Sequence, residues 1–572
     1  MLLVQTLRDL AIFAVATFGL GSALAPRHAG EPLLRLALGI VCSLGLQFLL
    51  AFGVFAAGGS NPLGGGIAVV LVAGIGLARR HAALELLTTP EVRHFLLLWL
   101  VFAAWSLGLL ALVVSYSGGG WAVDWLEHWQ RTQFFLERRP LDTVFGYLYG
   151  LTARPPLVNV VVALWLEGTA RTFSDYQVFV TLWSSIVLLP AVMLARRWRP
   201  AATTGAWVLL LLMLSPMVAQ NLTFAWTKLP TAFFVLTGFA ATLAALDDAA
   251  PSALGPMVGL CLGFGLLSHY SAGPWIIAIG AGYLCGRVNA WRRFAFWREV
   301  TVAAALLLVV TSVWLAWSIG HFGSRTTVGS TTTAGAWSEQ SPAQRILVPL
   351  LNLRDTLVPF PLRGEPQDRL IVQTSRLGRA RDVAFNVYQV NLPLAVGASG
   401  LFVLAIVAAR GRRRAAAPDS RRFYITAIPL AIVGGILVHT PRDQWGLTHI
   451  CLQPLVILAL ARIATLLPAL EGPIRRVWAI LAAVDFTLGI ALHFALQSWA
   501  MAGWVAPGAG AVGYVRSLGP VASANLRDKV KYHLAFFADP VAHLLPLVGL
   551  WLALCLLWAI FQVRRDSAPS SC

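Results

Sequence analysis

Residues 121–156 read WAVDWLEHWQRTQFFLERRPLDTVFGYLYGLTARPP. An apolar run, 95–116, ends just before this stretch, and charge then appears abruptly. On a helix, Asp124, Glu127 and His128 stand at i, i+3 and i+4 and share one face, with Arg131 one turn further on. An acid, a second acid, an imidazole and a guanidinium thus gather at the rim of a span. Two neighbouring carboxylates at a low-dielectric boundary raise the pKa of one of them, which suits a general base. Glu127 and His128 are also of the right type to contribute to a divalent-metal site. The same spacing fits an ordinary solvated helix face, and spacing alone does not separate these readings.

The surrounding chain is mostly apolar. Of 572 residues, 58% are hydrophobic and 12% charged, with a mean hydropathy of +0.72. A soluble domain carries about a quarter charged residues. Apolar runs lie at 10–25, 34–57, 64–79, 95–116, 178–195, 203–220, 230–247, 254–268, 272–286, 299–319, 390–409, 423–439, 451–468, 477–496 and 542–563. Runs of this length are helical spans, since a spanning strand shows a weaker, alternating pattern. The expected fold class is therefore an all-α polytopic membrane protein with about 13–15 transmembrane helices. Residues 10–25 end in Ser22-Ala23-Leu24-Ala25, faintly like a cleavage site, but only Arg8, beside Asp9, precedes them; an uncleaved span is expected.

The net charge of +18 does not imply nucleic acid. Arginines cluster at Arg79-Arg80, Arg196-Arg197-Trp198-Arg199, 287–298, 410–422, Arg475-Arg476 and Arg564-Arg565. All these loops fall on one side if each run crosses once, and that side is cytoplasmic. The other side receives the long loops 117–177, 320–389 and 497–541, where binding or catalysis is expected. Residues 156–170 are apolar but too short to span, and read as a helix lying in the interface. The six cysteines form no C-x-x-C and imply neither zinc nor a disulfide scaffold.

Other candidates lie on the same outer side. Arg154 precedes Pro155-Pro156, which holds it extended, and guanidinium suits a phosphate or a lipid head group. Lys228 stands in a short loop with Trp226, and His269 and Tyr270 lie between two spans. The loop from His439 to Ile450 offers Arg442, Asp443, Gln444 and His449. Asp485 lies inside a span, where interhelical hydrogen bonding is expected ahead of proton transport. Asn221-Leu222-Thr223 matches a glycosylation sequon, a weak signal.

Taken in order, these segments resemble the GT-C superfamily of integral-membrane glycosyltransferases, in particular its protein-mannosyltransferase and aminoarabinose-transferase-like branch. The likeness rests on an outer loop opening with Asp and an amphipathic helix (residues 123–136), a basic residue before Pro-Pro at Arg154-Pro155-Pro156-Leu157, and a span ending in basic residues at 178–199. It continues at Gly259–Gly265 ahead of Ser268-His269-Tyr270, and at Thr448-His449-Ile450-Cys451-Leu452-Gln453-Pro454. The chain departs from the family pattern at Lys228, His269 and His449. The likeness covers roughly residues 95–470, with 1–94 an N-terminal transmembrane extension and 471–572 a C-terminal transmembrane region.

The resemblance implies a GT-C-like catalytic module that moves a sugar from a polyprenyl-phosphate donor to an acceptor hydroxyl, usually with inversion. The acceptor is a glycan, a lipid or a protein. In its terms Asp124 is the general base and Glu127 assists it; Arg154, Lys228 and His269 bind the donor phosphate. His128, Tyr270, Arg442 and His449 bind substrate. A divalent metal, held through Glu127 or His128, is a candidate cofactor that some members use. Composition suits a high-GC bacterium, so the expected place is the inner (plasma) membrane, multi-pass, with the active face extracytoplasmic. A transporter or lipid flippase and a catalytically inactive relative are the competing readings. A transporter calls for polar residues along the spans, whereas here charge gathers at one face.

Overall fold

The computed structural model describes residues 2–27, 29–59, 61–113, 124–146, 149–247, 254–330, 340–359, 362–363, 376–389, 391–409, 418–438, 452–496 and 540–564. Among them there are helices and no strands. Ten helices are long and apolar enough to cross a bilayer, or up to twelve if each of two bent pairs is one span. The chain is thus a multi-pass membrane protein. The helices used below are α1 (Leu2–Ala14), α2 (Pro32–Ala56), α3 (Pro90–Ala111), α4 (Asp124–Glu137), α5 (Leu157–Leu166), α6 (Phe173–Ser185) and α7 (Leu188–Trp198). They continue with α8 (Thr204–Leu214), α9 (Pro216–Thr223), α10 (Lys228–Asp247), α11 (Gly255–Ser268), α12 (Gly273–Gly286) and α13 (Phe294–Gly329). The last are α14 (Pro342–Leu357), α15 (Arg376–Gln389), α16 (Ala398–Ala409), α17 (Pro418–Val438), α18 (Leu452–Leu466) and α19 (Gly472–Phe486).

Several apolar runs do not become straight spans, for identifiable reasons. Run 203–220 breaks between α8 and α9 with a bend of 74°. Pro216 cannot donate a hydrogen bond and pushes Ser215 into extended backbone at φ −82°, ψ 117°. The Ser215 hydroxyl then caps α9 through the Val218 N–H. Run 390–409 breaks at Gly397, whose φ of +87° only glycine adopts without strain.

That second break gives Asp485 its role. Its carboxylate accepts from the N–H groups of Ala398 and Ser399 at 3.0 and 2.9 Å, and from the Ser399 hydroxyl at 2.7 Å. An anion from α19 therefore caps the N-terminus of α16, where the helix dipole is positive. Asp485 makes an interhelical hydrogen bond, as its place in a span led us to expect. Asp485→Ala is expected to cost about 1–3 kcal/mol, because buried N–H groups lose their acceptor. Asp485→Asn, which keeps one acceptor, should cost less. Thermal melts in detergent check the order, and equal melts for all three proteins would remove the cap from the stability of the fold.

With no hydrophobic drive between helices inside lipid, close approach and buried polar ties hold the bundle. Gly259 packs where a Cβ would stand 2.1 Å from the carbonyl oxygen of Ala303, so α11 and α13 meet backbone to backbone. A π-helical turn at Val15–Gly19 leaves the Ala16 carbonyl available, and Ser43 and Gln47 donate to it at 2.5 and 3.0 Å. Trp165 on α5 donates to Gln47 at 2.7 Å. Arg8 on α1 reaches Asp175 on α6 at 2.7 Å, and Asp175 closes a capping box with Thr172. The N-terminal spans are thereby tied to the first loop's helices. Asn221 is 1% exposed and donates to Gln389 at 2.9 Å, so its sequon faces the interior.

At one end of the bundle the arginine clusters close the structure. Arg197 on α7 pairs with Asp247 at the end of α10, Arg287 donates to the Ala245 carbonyl, and Trp198 donates to Tyr424 at 3.0 Å. The opposite end of the same helices carries the start of α10 and the end of α11, with Lys228 and His269. α5 is almost wholly buried, packed against α2, α4 and α6. The valines and leucines of this segment find protein partners on these helices.

Candidate active site

The site is built on α4. Its helical face is as the spacing requires: Glu127 is 0%, Arg131 1% and His128 4% exposed, while Asp124, at the first position of the helix, is half-buried. Arg131 Nε donates to Glu127 Oε1 at 2.9 Å, and its Nη1 and Nη2 donate to the carbonyls of Leu151 and Gly150 at 2.7 and 2.8 Å. One guanidinium thus binds a carboxylate on its own helix and the 3-10 turn, Leu151–Ala153, that leads to Arg154. Phe145 and Tyr149 exchange backbone hydrogen bonds at 2.8 and 3.0 Å, and Gln130 accepts from Gly146 N–H at 2.7 Å, which docks this turn on α4. Their rings lie under the two guanidinium groups: Arg131 is 4.6 Å from the Phe145 centroid and Arg154 is 5.1 Å from that of Tyr149.

Arg154 is held extended at φ −134°, ψ 144°, as the following proline demands. Its Nε lies 3.7 Å from Glu127 Oε2. Burial works against the Arg154 charge, but Glu127 and Asp124 outweigh it and hold the group above its ordinary value. Glu127 thus binds Arg131 through Oε1 and faces Arg154 through Oε2, which makes no hydrogen bond. The fields of Arg154, Arg131 and Lys228 all reach His128. Among the described residues, no three His, Cys, Asp or Glu side chains converge as a metal site.

Lys228 opens α10, 6% exposed, with its Nζ 2.8 Å from the centre of the Trp226 ring. Asp124 and Arg154 are both within its electrostatic reach. Trp226 is braced by Phe224 at 4.1 Å and by Phe385 of α15 at 5.8 Å. His269 stands in extended backbone after α11, 8% exposed, and its Nδ1 accepts from the Ser271 N–H at 3.1 Å. The neutral ring then carries its proton on Nε2. Tyr270 donates to the Thr152 carbonyl at 3.3 Å and accepts from Trp314 at 3.1 Å. Its hydroxyl braces the Leu151–Ala153 segment.

Burial pulls both His128 and His269 well below the usual imidazole value, with Arg154 adding to it in each case. Both rings are therefore neutral near pH 7. The unfolded chain binds a proton on each ring below about pH 6.5, whereas the folded chain resists it. The stability this contributes is present above that pH and is lost as the pH falls, by up to about 1.4 kcal/mol per unit for each ring. Melting temperature followed from about pH 8 to about pH 5 should fall more steeply for wild type than for His128→Gln. Parallel curves would deny His128 this part.

The structure brings together Asp124, Glu127, His128, Arg154, Lys228, His269 and Tyr270. Arg442 and His449 lie outside the described residues, as does most of the loop 497–541. Arg131 was legible as the fourth member of the helix face, but its bonds to the Gly150 and Leu151 carbonyls were not.

No protein-family model matches the chain, and no curated protein matches it. Among solved structures, the chain is similar to ArnT from Cupriavidus metallidurans bound to undecaprenyl phosphate, at 16% identity over 83% of this chain and 75% of that one, with a TM-score of 0.43. The apo state of the same protein gives 17% identity over 81% and 74%, with a TM-score of 0.42. The archaeal oligosaccharyltransferase AglB from Archaeoglobus fulgidus, in complex with an inhibitory peptide and a dolichol-phosphate, gives 15% identity over 76% and 59%, with a TM-score of 0.39.

Proposed function

We propose that this chain is a GT-C-type glycosyltransferase that moves a sugar from a polyprenyl-phosphate donor to an acceptor hydroxyl at the extracytoplasmic face of the plasma membrane. The observation that carries this reading is the gathering of one half-buried carboxylate, Asp124, with the buried Arg154 guanidinium, the buried Lys228 amine and a neutral imidazole, His269, at one end of an apolar bundle. Asp124 and Lys228 open α4 and α10, and Arg154 and His269 stand in the segments that follow α4 and α11. The arginine clusters at the other end mark the cytoplasmic side.

The chemistry follows from the parts. An acceptor hydroxyl is a poor nucleophile and needs a base as it attacks the anomeric carbon. Asp124 takes that proton. The carbon–oxygen bond to the lipid phosphate breaks on the opposite face, so the product is inverted. Negative charge then grows on the leaving phosphate oxygens, and Arg154 and Lys228 stabilise it in a site largely closed to water. The Nε2–H of His269 donates to the same group. Arg131 and Glu127 hold Arg154 in place. The lipid chain lies in the bilayer beside the bundle, which accounts for a site at the rim of the spans. The acceptor is a glycan, a lipid or a protein.

The test is turnover by purified protein in nanodiscs, offered a panel of radiolabelled polyprenyl-phosphate sugars with polyprenyl-phosphate release as the readout. Release that requires both a sugar donor and the protein supports the reading. Binding of the lipid phosphate with no turnover of any donor would favour a lipid transporter.

A further inference from the structure

The end of the bundle that carries the arginine clusters holds a cleft that the reaction does not use. α12 packs on α10, α13 packs on α11, and α10 and α11 pack on each other. Between α12 and α13 lies a cavity of about 190 Å³. Val258 and Leu262 of α11 floor it, Ile279 and Gly280 of α12 form one wall, and Ala304 and Leu307 of α13 form the other. Gly280 and Ala304 are exposed, as are Ile277 and Leu308 beside them, so the cleft opens sideways on the lipid-facing surface. A Cβ on Gly280 would meet no described atom within 4 Å. The one carboxylate of the lining, Glu299, is in hydrogen-bond contact with the Tyr283 hydroxyl, which also meets Arg287.

An apolar cleft stays dry, and left empty it forfeits dispersion contacts along both walls. Its occupant is therefore a hydrocarbon chain. From Glu299 to Leu307 the α13 wall rises about 12 Å, at about 1.5 Å per residue. One leaflet is half of a hydrocarbon core of about 30 Å. An acyl chain matches that depth, whereas a polyprenyl chain runs well past it. The mouth selects the head group. Residues 287–293 join α12 to α13 across the end of the cleft, and Arg292, Arg293 and Arg298 are exposed there. Trp291 and Trp297 stand beside them, 44% and 45% exposed. Trp297 donates to the Trp291 carbonyl at 2.8 Å, and Trp291 donates to that of Leu284 at 2.9 Å. Tryptophans placed so sit at head-group level, and arginines beside them attract anionic lipid.

We infer that the cleft between α12 and α13 binds one anionic glycerophospholipid of the cytoplasmic leaflet. An acyl chain lies along Gly280 and Ala304, and the phosphate head group sits on Arg292, Arg293 and Arg298. The inference is independent of the glycosyl-transfer reading, whose site is at the other end of the same helices.

The experiment titrates full-length protein in detergent with phosphatidylglycerol, phosphatidylcholine of the same acyl chains, and polyprenyl phosphate. Native mass spectrometry counts the lipids retained per chain, and thermal melts read their effect. Phosphatidylglycerol should be held about ten- to hundredfold more tightly than phosphatidylcholine, and should raise the melting temperature. Gly280→Leu fills the open space. It should keep or raise the melting temperature of the lipid-free protein and lose the shift that phosphatidylglycerol gives. Replacing Arg292, Arg293 and Arg298 together by Gln should abolish the preference for phosphatidylglycerol, and replacing them by Lys should keep it.

Phosphatidylglycerol held as tightly by Gly280→Leu as by wild type would put the lipid elsewhere and overturn the inference. Equal affinity of wild type for the two phospholipids would overturn it as well. Polyprenyl phosphate that displaces phosphatidylglycerol from wild type would give the cleft to the carrier lipid instead. Wild-type protein that retains no phospholipid would leave the cleft to another part of this chain, against the inference. In each of these cases the reading of the opposite end stands.

Discussion

Asp124→Asn is expected to lower donor turnover by about 10²–10⁴-fold while leaving donor binding intact. Asparagine keeps the size and one acceptor oxygen of aspartate but cannot take a proton from the attacking hydroxyl. Asp124 stands at the first position of α4, half-buried, and faces the charges of Arg154 and Lys228, so the variant's melting temperature is read beside its turnover. Release of polyprenyl phosphate measures turnover, and retention of labelled donor in the same nanodiscs measures binding. Equal turnover by both proteins would remove Asp124 from the mechanism. Lost binding together with lost turnover would recast it as a donor ligand.

Arg131→Met should have the largest effect on stability. The guanidinium is 1% exposed and satisfies three acceptors: Glu127 and the carbonyls of Gly150 and Leu151. Removing one partner of a buried ion pair leaves the other charge uncompensated, at a cost of about 3–5 kcal/mol. Here the two carbonyls lose their donors as well. Activity should fall along with stability, because the Gly150–Ala153 segment that presents Arg154 loses its tie to α4. Arg131→Lys should not rescue, since one ammonium cannot span a carboxylate and two carbonyls in the fork geometry of guanidinium. Denaturation in detergent reads the stability, and donor binding reads the presentation of Arg154. A variant with wild-type stability would show that the pair is replaceable by packing.

Much of this site was legible in the sequence because it depended on short-range geometry. The α4 face follows from helical spacing alone, and the extended backbone of Arg154 follows from the ring of Pro155. The sidedness of Lys228 and His269 followed from counting arginines in loops. What was not legible depended on contacts between distant segments. Tyr270 reads as a substrate ligand beside His269, yet its hydroxyl is engaged by Thr152 and Trp314, which lie 118 and 44 residues away. Glu127 reads as a second catalytic residue or a metal ligand, and the path of the chain brings Arg154 to 3.7 Å from its Oε2.

Hydropathy and charge determined by themselves that this chain crosses a membrane, that its helices carry basic loops at one end, and that its chemistry-bearing residues face the other. These are one-dimensional properties, set by transfer of each segment between water and lipid. Which runs cross straight, which bend at Ser215 or Gly397, and which turn inward as α5 does were decided only by the tertiary structure. So was the choice of which buried side chains bind one another across the bundle. Both depend on which unsatisfied donor, acceptor or charge finds its partner across the bundle, and that pairing is settled only when the helices pack.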